Sequence, residues 1–210
     1  MERKKLWFVS GVLVAVTALI SWIEAPHSVR AAGAAAAETH TQSQSTSPDA
    51  QQRIARGRYL VTIAGCNDCH TPFKLGLHGP EPDMTRMLSG HPQGVKLPPA
   101  PAPRWPWIWS GAATNTAFAG PWGVTYAANL TPHPVTGMGI WDENRFIKAM
   151  RTGRHFGEAR PIMPPMPWQS IGKMTDEDLK SIYAYLRSIP PIDNQVPDYQ
   201  PPQPTTRKAQ

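Results

Sequence analysis

Three stretches of the chain carry a helical period. Leu179, Ile182, Tyr183 and Leu186 fall at i, i+3, i+4 and i+7, behind Thr175-Asp176-Glu177-Asp178, which reads as an N-cap followed by a first turn of acids. Arg187 sits near the basic end of that helix, and Pro190-Pro191 stops it. A second helix is predicted over Asp142 to Thr152, with Phe146, Ile147 and Met150 on one face and Gly153 as its stop. The third runs from Gln51 to Ala64, with Ile54, Leu60, Val61 and Ile63 apolar. Gly57 in its middle costs about 1 kcal/mol relative to Ala unless another backbone packs against it. Between these stretches the pattern has neither helical nor strand period. Most of the 24 prolines lie from 92 to 204, so loops are expected to carry much of the domain.

The N-terminal region has a different pattern. Glu2-Arg3-Lys4-Lys5 precedes an 18-residue uncharged run, Leu6 to Ile23. A basic flank before an apolar run directs the downstream chain across a membrane, out of the cytoplasm. The run exceeds an ordinary signal-peptide core and is barely long enough to span a bilayer, while small residues at 31–34 suit a signal peptidase. Residues 1–30 are therefore expected to be a signal peptide or a membrane anchor. Residues 31–50, rich in Ala, Thr, Ser and Gln, read as a flexible linker. Residues 51–192 are left as one domain of ordinary size, and 193–210 as a proline-rich tail.

The chain has 210 residues and a formal charge of +6. Arg3, Lys4, Lys5 and Arg30 balance Glu2, Glu24, Glu38 and Asp49, so the whole excess belongs to residues 51–210. Such a surface attracts acidic partners. No nucleic-acid-binding motif accompanies it, so nucleic acid is not an expected partner. The densest run is Arg145, Lys148, Arg151, Arg154 and Arg160 against Glu158, which reads either as a docking rim or as a solvated helix face.

Both cysteines of the chain stand in Cys66-Asn67-Asp68-Cys69-His70. In an exported protein two cysteines suggest a disulfide, but two intervening residues and a following histidine are the pattern of c-type haem attachment. Two thiols one helical turn apart reach two vinyl groups on one porphyrin edge, and the next residue turns its imidazole to the iron. A zinc site would need a second ligand pair, and a thioredoxin-like pair would need a β-α-β setting; the sequence has neither. The other axial ligand is sought in Arg160-Pro161-Ile162-Met163-Pro164-Pro165-Met166-Pro167-Trp168, where prolines restrict the backbone around two thioethers. Met138, Met150 and Met174 read as core filler, and Met84 and Met87 lie too close to the attachment motif. His78, His91, His133 and His155 remain alternatives.

A helix ending in this motif, a later methionine loop and a last helix containing Ala184-Tyr185-Leu186 resemble class I cytochrome c. Further segments resemble the cytochrome c domains of periplasmic membrane-bound dehydrogenases: Gly57-Arg58-Tyr59-Leu60, Leu88-Ser89-Gly90, Ala128-Asn129-Leu130-Thr131-Pro132, Thr136-Gly137-Met138-Gly139-Ile140-Trp141 and Pro165-Met166-Pro167-Trp168. The resemblance covers about residues 57–189. It implies a mainly α fold around one covalent haem c, held by Cys66, Cys69, His70 and Met166, with Met163 the alternative ligand. The first and last helices would cross at Gly57 and Tyr185. It also implies electron transfer rather than substrate turnover, with a dehydrogenase subunit, oxidase or other cytochrome as partner. The rival reading is a haem peroxidase with a dissociable sixth ligand. The chain departs from the family in having a single attachment motif where such subunits often have three. Residues 95–122, with Arg104-Trp105-Pro106-Trp107-Ile108-Trp109, form an unassigned insertion. It is expected to fold over the haem and exclude water, the alternative being an exposed docking patch.

Overall fold

The computed structural model describes residues 47–100 and 106–202. The expected anchor at 6–23, nearly all of the linker, Arg104 and Trp105 lie outside these residues. Among the described residues there are five α-helices: α1 (Pro48–Ile63), α2 (Cys66–His70), α3 (Glu143–Thr152), α4 (Trp168–Ile171) and α5 (Asp176–Ser188). Among the described residues, no helix is long and apolar enough to cross a membrane.

Each long helix begins where a side chain satisfies an orphan N–H. Thr175 accepts from Asp178 N at 3.1 Å, as its sequence context predicts, and Asp142, expected as the first helical residue, instead caps α3 by accepting from Arg145 N at 2.7 Å. α1 starts earlier than its apolar pattern suggests: Ser47 caps Ala50 N at 3.3 Å, and Pro48 at the first helical position has no N–H to lose. α3 ends at Gly153, which takes a left-handed conformation with φ 67°.

The expectation of a mainly α fold is met in part, because two small sheets stand beside the helices. β1 (Phe73–Gly76) and β2 (Gly79–Pro82) form a hairpin. β3 (Ser110–Gly111), β4 (Ala117–Gly120) and β5 (Gly123–Tyr126) form an antiparallel sheet in the order β3-β4-β5. These strands have two to four residues and contain Gly, Ala and Pro, so they carry too little alternation to be legible as strands. Tertiary pairing makes them. Val124 exchanges backbone hydrogen bonds with Gln200 at 2.8 and 2.9 Å, which adds the C-terminal segment to the free edge of β5.

The core lies between α1, α3 and α5, around Leu60, Val61, Phe146, Leu179, Ile182 and Leu186. α1 crosses α5 at Gly57. A Cβ there would run into the Ser181 carbonyl and lie 2.8 Å from Tyr185 Cβ, so the helices approach as closely as they do only because Gly57 has no side chain. Arg56 Nε donates to Asp178 at 3.0 Å beside the crossing. A second anchor is Asn194, fully buried in a stretch that the sequence marks only by its prolines. Its amide donates to Ser89 O at 2.7 Å and His91 O at 2.9 Å, and its oxygen accepts from Gln93 N and Arg86. The chain after α5 is thereby tied to the loop beyond the 84–86 turn.

Gly57→Ala should lower unfolding free energy by about 1–3 kcal/mol, because the overpacking cost exceeds the gain in helix propensity. Arg56→Ala removes a mostly exposed ion pair and should cost less than about 1 kcal/mol. Urea unfolding monitored by far-UV circular dichroism separates the two; equal midpoints for Gly57→Ala and wild type would mean that the crossing tolerates a side chain and is not tight.

Candidate functional site

α1 delivers the chain directly to Cys66-Asn67-Asp68-Cys69-His70. Gly65, left-handed at φ 65°, breaks α1 and turns the backbone into α2 within three residues. The one-turn helix expected at 66–70 is present. Cys66, Cys69 and His70 all line one cavity of about 610 Å³, within the range of small-molecule and cofactor sites. Val61, Leu130, Phe146, Ile171, Ile182 and Leu186 give it apolar walls. Met163 and Met166 line it too, so the structure brings together both cysteines, His70 and the two candidate methionines.

His70 is buried, and its Nδ1 lies 2.8 Å from Ala128 O. A carbonyl only accepts, so Nδ1 carries the proton and Nε2 keeps its lone pair, the tautomer a metal ligand needs. Burial pushes the His70 pKa below its ordinary value, against the opposing pull of the Ala128 carbonyl, and so favours the neutral ring. The seat for this contact comes from two of the segments noted in the sequence. Gly90 N donates to His70 O at 2.7 Å, and a Cβ on Gly90 would strike the carbonyls of Ala127 and Ala128. Thr71, fully buried, accepts from Leu88 N at 2.9 Å.

Burial pushes the Cys66 thiol up to about 11 and raises that of Cys69, with Asp68 adding to both. Thiols that stay protonated at neutral pH are the opposite of a catalytic redox pair, which needs a stabilised thiolate. Both cysteines are free and half-buried. Among the described residues no group of three or more His, Cys, Asp or Glu is placed to hold a metal ion by itself. Two neutral thiols, an imidazole with a free Nε2 and two thioethers around one apolar cavity fit a covalently attached haem.

The methionine loop is pinned from both sides. Ile162 N donates to Gly153 O at 2.8 Å, and His155 N donates to Arg160 O at 3.0 Å. Trp168, which opens α4, lies so close over Gly153 that no Cβ fits there. From the opposite side Thr125 Oγ1 of β5 donates to Pro164 O at 2.8 Å. The insertion thus contributes to the sheet that braces the loop, a role its sequence did not announce. Met166 also packs against the hydrophobic core, whereas Met163 only faces the cavity.

Of the histidine alternatives, His155 is the one in the cavity lining. Burial, with help from Arg160, pushes its pKa down to about 4, and its ring meets Trp141 edge-on at 6.2 Å. His91 is buried between Thr116 Oγ1 at 2.9 Å and Val95 O at 3.2 Å, and His133 bonds Thr136 at 2.8 Å. His78 lies between β1 and β2 and does not reach the lining.

Two surface expectations change. Trp107 and Trp109 do not fold over the cavity: neither lines it, and both are exposed. Phe118, Tyr126 and the 195–199 segment occupy that wall, and β3 leads the tryptophans away along the outer edge of the sheet. Nor is the basic run a free rim. Lys148 pairs with Glu158 at 3.2 Å, Arg145 with Asp142 at 3.4 Å, and Arg151 with Asp176 at 2.5 Å while also bonding Gly172 O. Arg154 donates to Ala159 O at 3.0 Å.

Comparison with known proteins agrees with this chemistry. Residues 54–190 match the cytochrome c family model. The cytochrome subunit of a fructose dehydrogenase from Gluconobacter japonicus is 29% identical over 178 residues, which cover 82% of this chain and 30% of that protein. The cytochrome c subunit of a quinone alcohol dehydrogenase from Gluconobacter oxydans is 26% identical over 148 residues, 69% of this chain and 24% of that subunit. The cytochrome c subunit of a gluconate 2-dehydrogenase from Pantoea cypripedii is 28% identical over 141 residues, 66% and 24% respectively. The chain thus spans less than a third of the length of these relatives.

Thr125→Val keeps the shape of β5 but leaves the Pro164 carbonyl unpaired. It should cost about 1 kcal/mol of stability and should loosen the methionine loop before the rest of the domain. Native-state hydrogen exchange by mass spectrometry should show faster exchange in the peptide over 160–171 with little change in α1. Unchanged protection of that peptide would mean that the sheet does not brace the loop.

Proposed function

Because this chain belongs to the cytochrome c family and binds haem c, we propose that it carries single electrons between a dehydrogenase and the respiratory chain on the periplasmic side of the membrane. The observation behind this reading is the cavity that gathers both thiols, His70 and the methionine loop between apolar walls. Bound there, haem c supplies the one-electron couple of its iron. One attachment motif implies one haem.

Cys66 and Cys69 would hold it covalently, and His70 would be an axial ligand through Nε2. Met166 would be the second ligand, as the family resemblance implies; its packing against the core and the prolines on either side hold its sulfur. Met163 is the alternative. Two protein ligands leave no open position for substrate, which favours a carrier over a peroxidase. The chain's own contribution is then to exclude water, hold the ligands and set the potential. Ala128 strengthens His70 as a ligand by accepting a hydrogen bond from its Nδ1–H. The apolar walls disfavour extra charge at the centre. The relatives are cytochrome subunits of dehydrogenases, which supports a dehydrogenase subunit as the electron donor and an oxidase or another cytochrome as acceptor. The basic start and apolar run at 2–23 support export, with either a cleaved signal peptide or an inner-membrane anchor.

The double variant Cys66→Ala, Cys69→Ala, made with a c-type maturation system, should yield no haem-staining band on a denaturing gel, whereas wild type stains. A wild-type band without stain would end the attachment assignment. For the sixth ligand, Met166→Ala should lose the methionine–iron charge-transfer band of the oxidised protein. It should also lower the midpoint potential by on the order of 0.1 V or more, with Met163→Ala keeping both. Loss of the band in Met163→Ala alone reverses the two roles. Persistence of low-potential, band-free spectra in wild type, abolished by His155→Ala, would assign the position to His155.

A further inference from the structure

The three consecutive residues Trp107, Ile108 and Trp109 are 76%, 59% and 42% exposed. Bulky apolar side chains presented together need a physical reason, since water opposes such a patch. They do not wall the haem cavity, and their support is rigid. Trp109 stands edge-on against Phe118 at 5.7 Å, and Ser110–Gly111 immediately after it pairs with β4. Phe118 is buried and lines the cavity. The triad therefore sits on the outer edge of a sheet, one aromatic ring away from the haem site.

The sequence on either side of it carries charge of one sign. From Met84 to Trp141 the sequence contains no Asp or Glu, while Arg86, Lys96 and Arg104 are cationic. Arg86 is occupied with Asn194 at 3.1 Å. Lys96 forms no ion pair with the described residues, and Val95 and Leu97 on either side of it are exposed. Indole combines a large apolar face with one N–H donor, which suits the boundary between headgroups and acyl chains, and nearby cations favour anionic lipid. The chain itself carries the uncharged run Leu6 to Ile23 behind a basic start.

We infer that Trp107, Ile108 and Trp109 form a docking surface for an anionic lipid bilayer, inserting at headgroup depth, with Lys96 of the same carboxylate-free stretch contributing the attraction to anionic headgroups. This rests on the proposed export to a membrane-facing compartment, and it goes beyond an N-terminal tether by fixing which face of the domain meets the lipid. Docked this way, the Phe118 wall of the haem cavity lies just behind the membrane surface, so that redox partners held in the membrane meet the same side of the domain each time.

The test places a nitroxide on Ile108→Cys in the full-length holoprotein, in which Cys66 and Cys69 are consumed by thioethers, with Gln52→Cys on α1 as the aqueous reference. Power-saturation electron paramagnetic resonance then compares accessibility to oxygen and to a water-soluble nickel chelate. In vesicles of phosphatidylglycerol and phosphatidylcholine, the label at 108 should favour oxygen and the label at 52 the nickel chelate. Lys96→Glu, or vesicles of phosphatidylcholine alone, should weaken the effect at 108. If the protein sediments with vesicles while the label at 108 stays in water, the tether reading stands and the docking surface is refuted. If the protein does not sediment with vesicles at all, both fail. Immobilisation of the label only in protein-containing native membranes, and not in lipid vesicles, would assign the triad to a protein partner and overturn the lipid assignment.

Discussion

The approach of α1 to α5 at Gly57 is the constraint on which the rest depends. α1 ends three residues before Cys66, and α5 contributes Ile182 and Leu186 to the far wall of the cavity. The distance between the two helices therefore sets the distance between the thiols and the apolar surface opposite them. Gly57 lets the backbone of one helix rest on the Ser181 carbonyl of the other, a contact no other residue type allows. The glycine is unfavourable for α1 alone, and the fold recovers that cost through burial around Leu60, Val61, Leu179 and Ile182.

Around that crossing, irregular chain does the work that regular elements do in larger domains. His70 is oriented by a carbonyl from a loop, Ala128, and the methionine segment is held by a threonine hydroxyl from β5 and by the packing of Trp168 on Gly153. The stretch after α5 closes one side of the cavity. It is fastened by buried Asn194 at one end and by pairing of Gln200 with Val124 at the other. Each of these contacts joins positions far apart in the chain, so loops and short strands hold the side of the site that the helices do not.

The electrostatics divide the surface by role. The basic run over 145–160 is largely spent on internal ion pairs and carbonyls that join α3 to α4, α5 and the 155–161 turn. Exposed pairs of this kind add little stability singly, but they remove free positive charge from that face. The stretch free of carboxylates lies elsewhere, over 84–141, with the exposed tryptophans in its middle. The surface most available for contact is thus apolar, not the one that charge counting singled out.

The sequence by itself determined the chemistry and the long helices. Cys66, Cys69 and His70 must be one turn apart to serve one porphyrin edge, and that requirement is local. So are the cap at Thr175, the apolar periods of α3 and α5, and the glycine at Gly153. That Gly57 asks for a close neighbour was also legible, since a glycine inside a helix is otherwise a cost; that the neighbour is Tyr185 came from the resemblance to class I cytochrome c. Tertiary structure decided the rest. β3, β4 and β5 are too short to show a period and exist through their pairing. Thr125 and Asn194 look ordinary in sequence and gain their roles from carbonyls of residues such as Pro164 and Ser89, which are distant along the chain. The direction taken by Trp107 and Trp109 has the same origin. Hydrophobicity says that such residues seek cover, but the cavity wall they were expected to fill was already occupied by Phe118, Tyr126 and the C-terminal segment, and the edge of the sheet carried them outward.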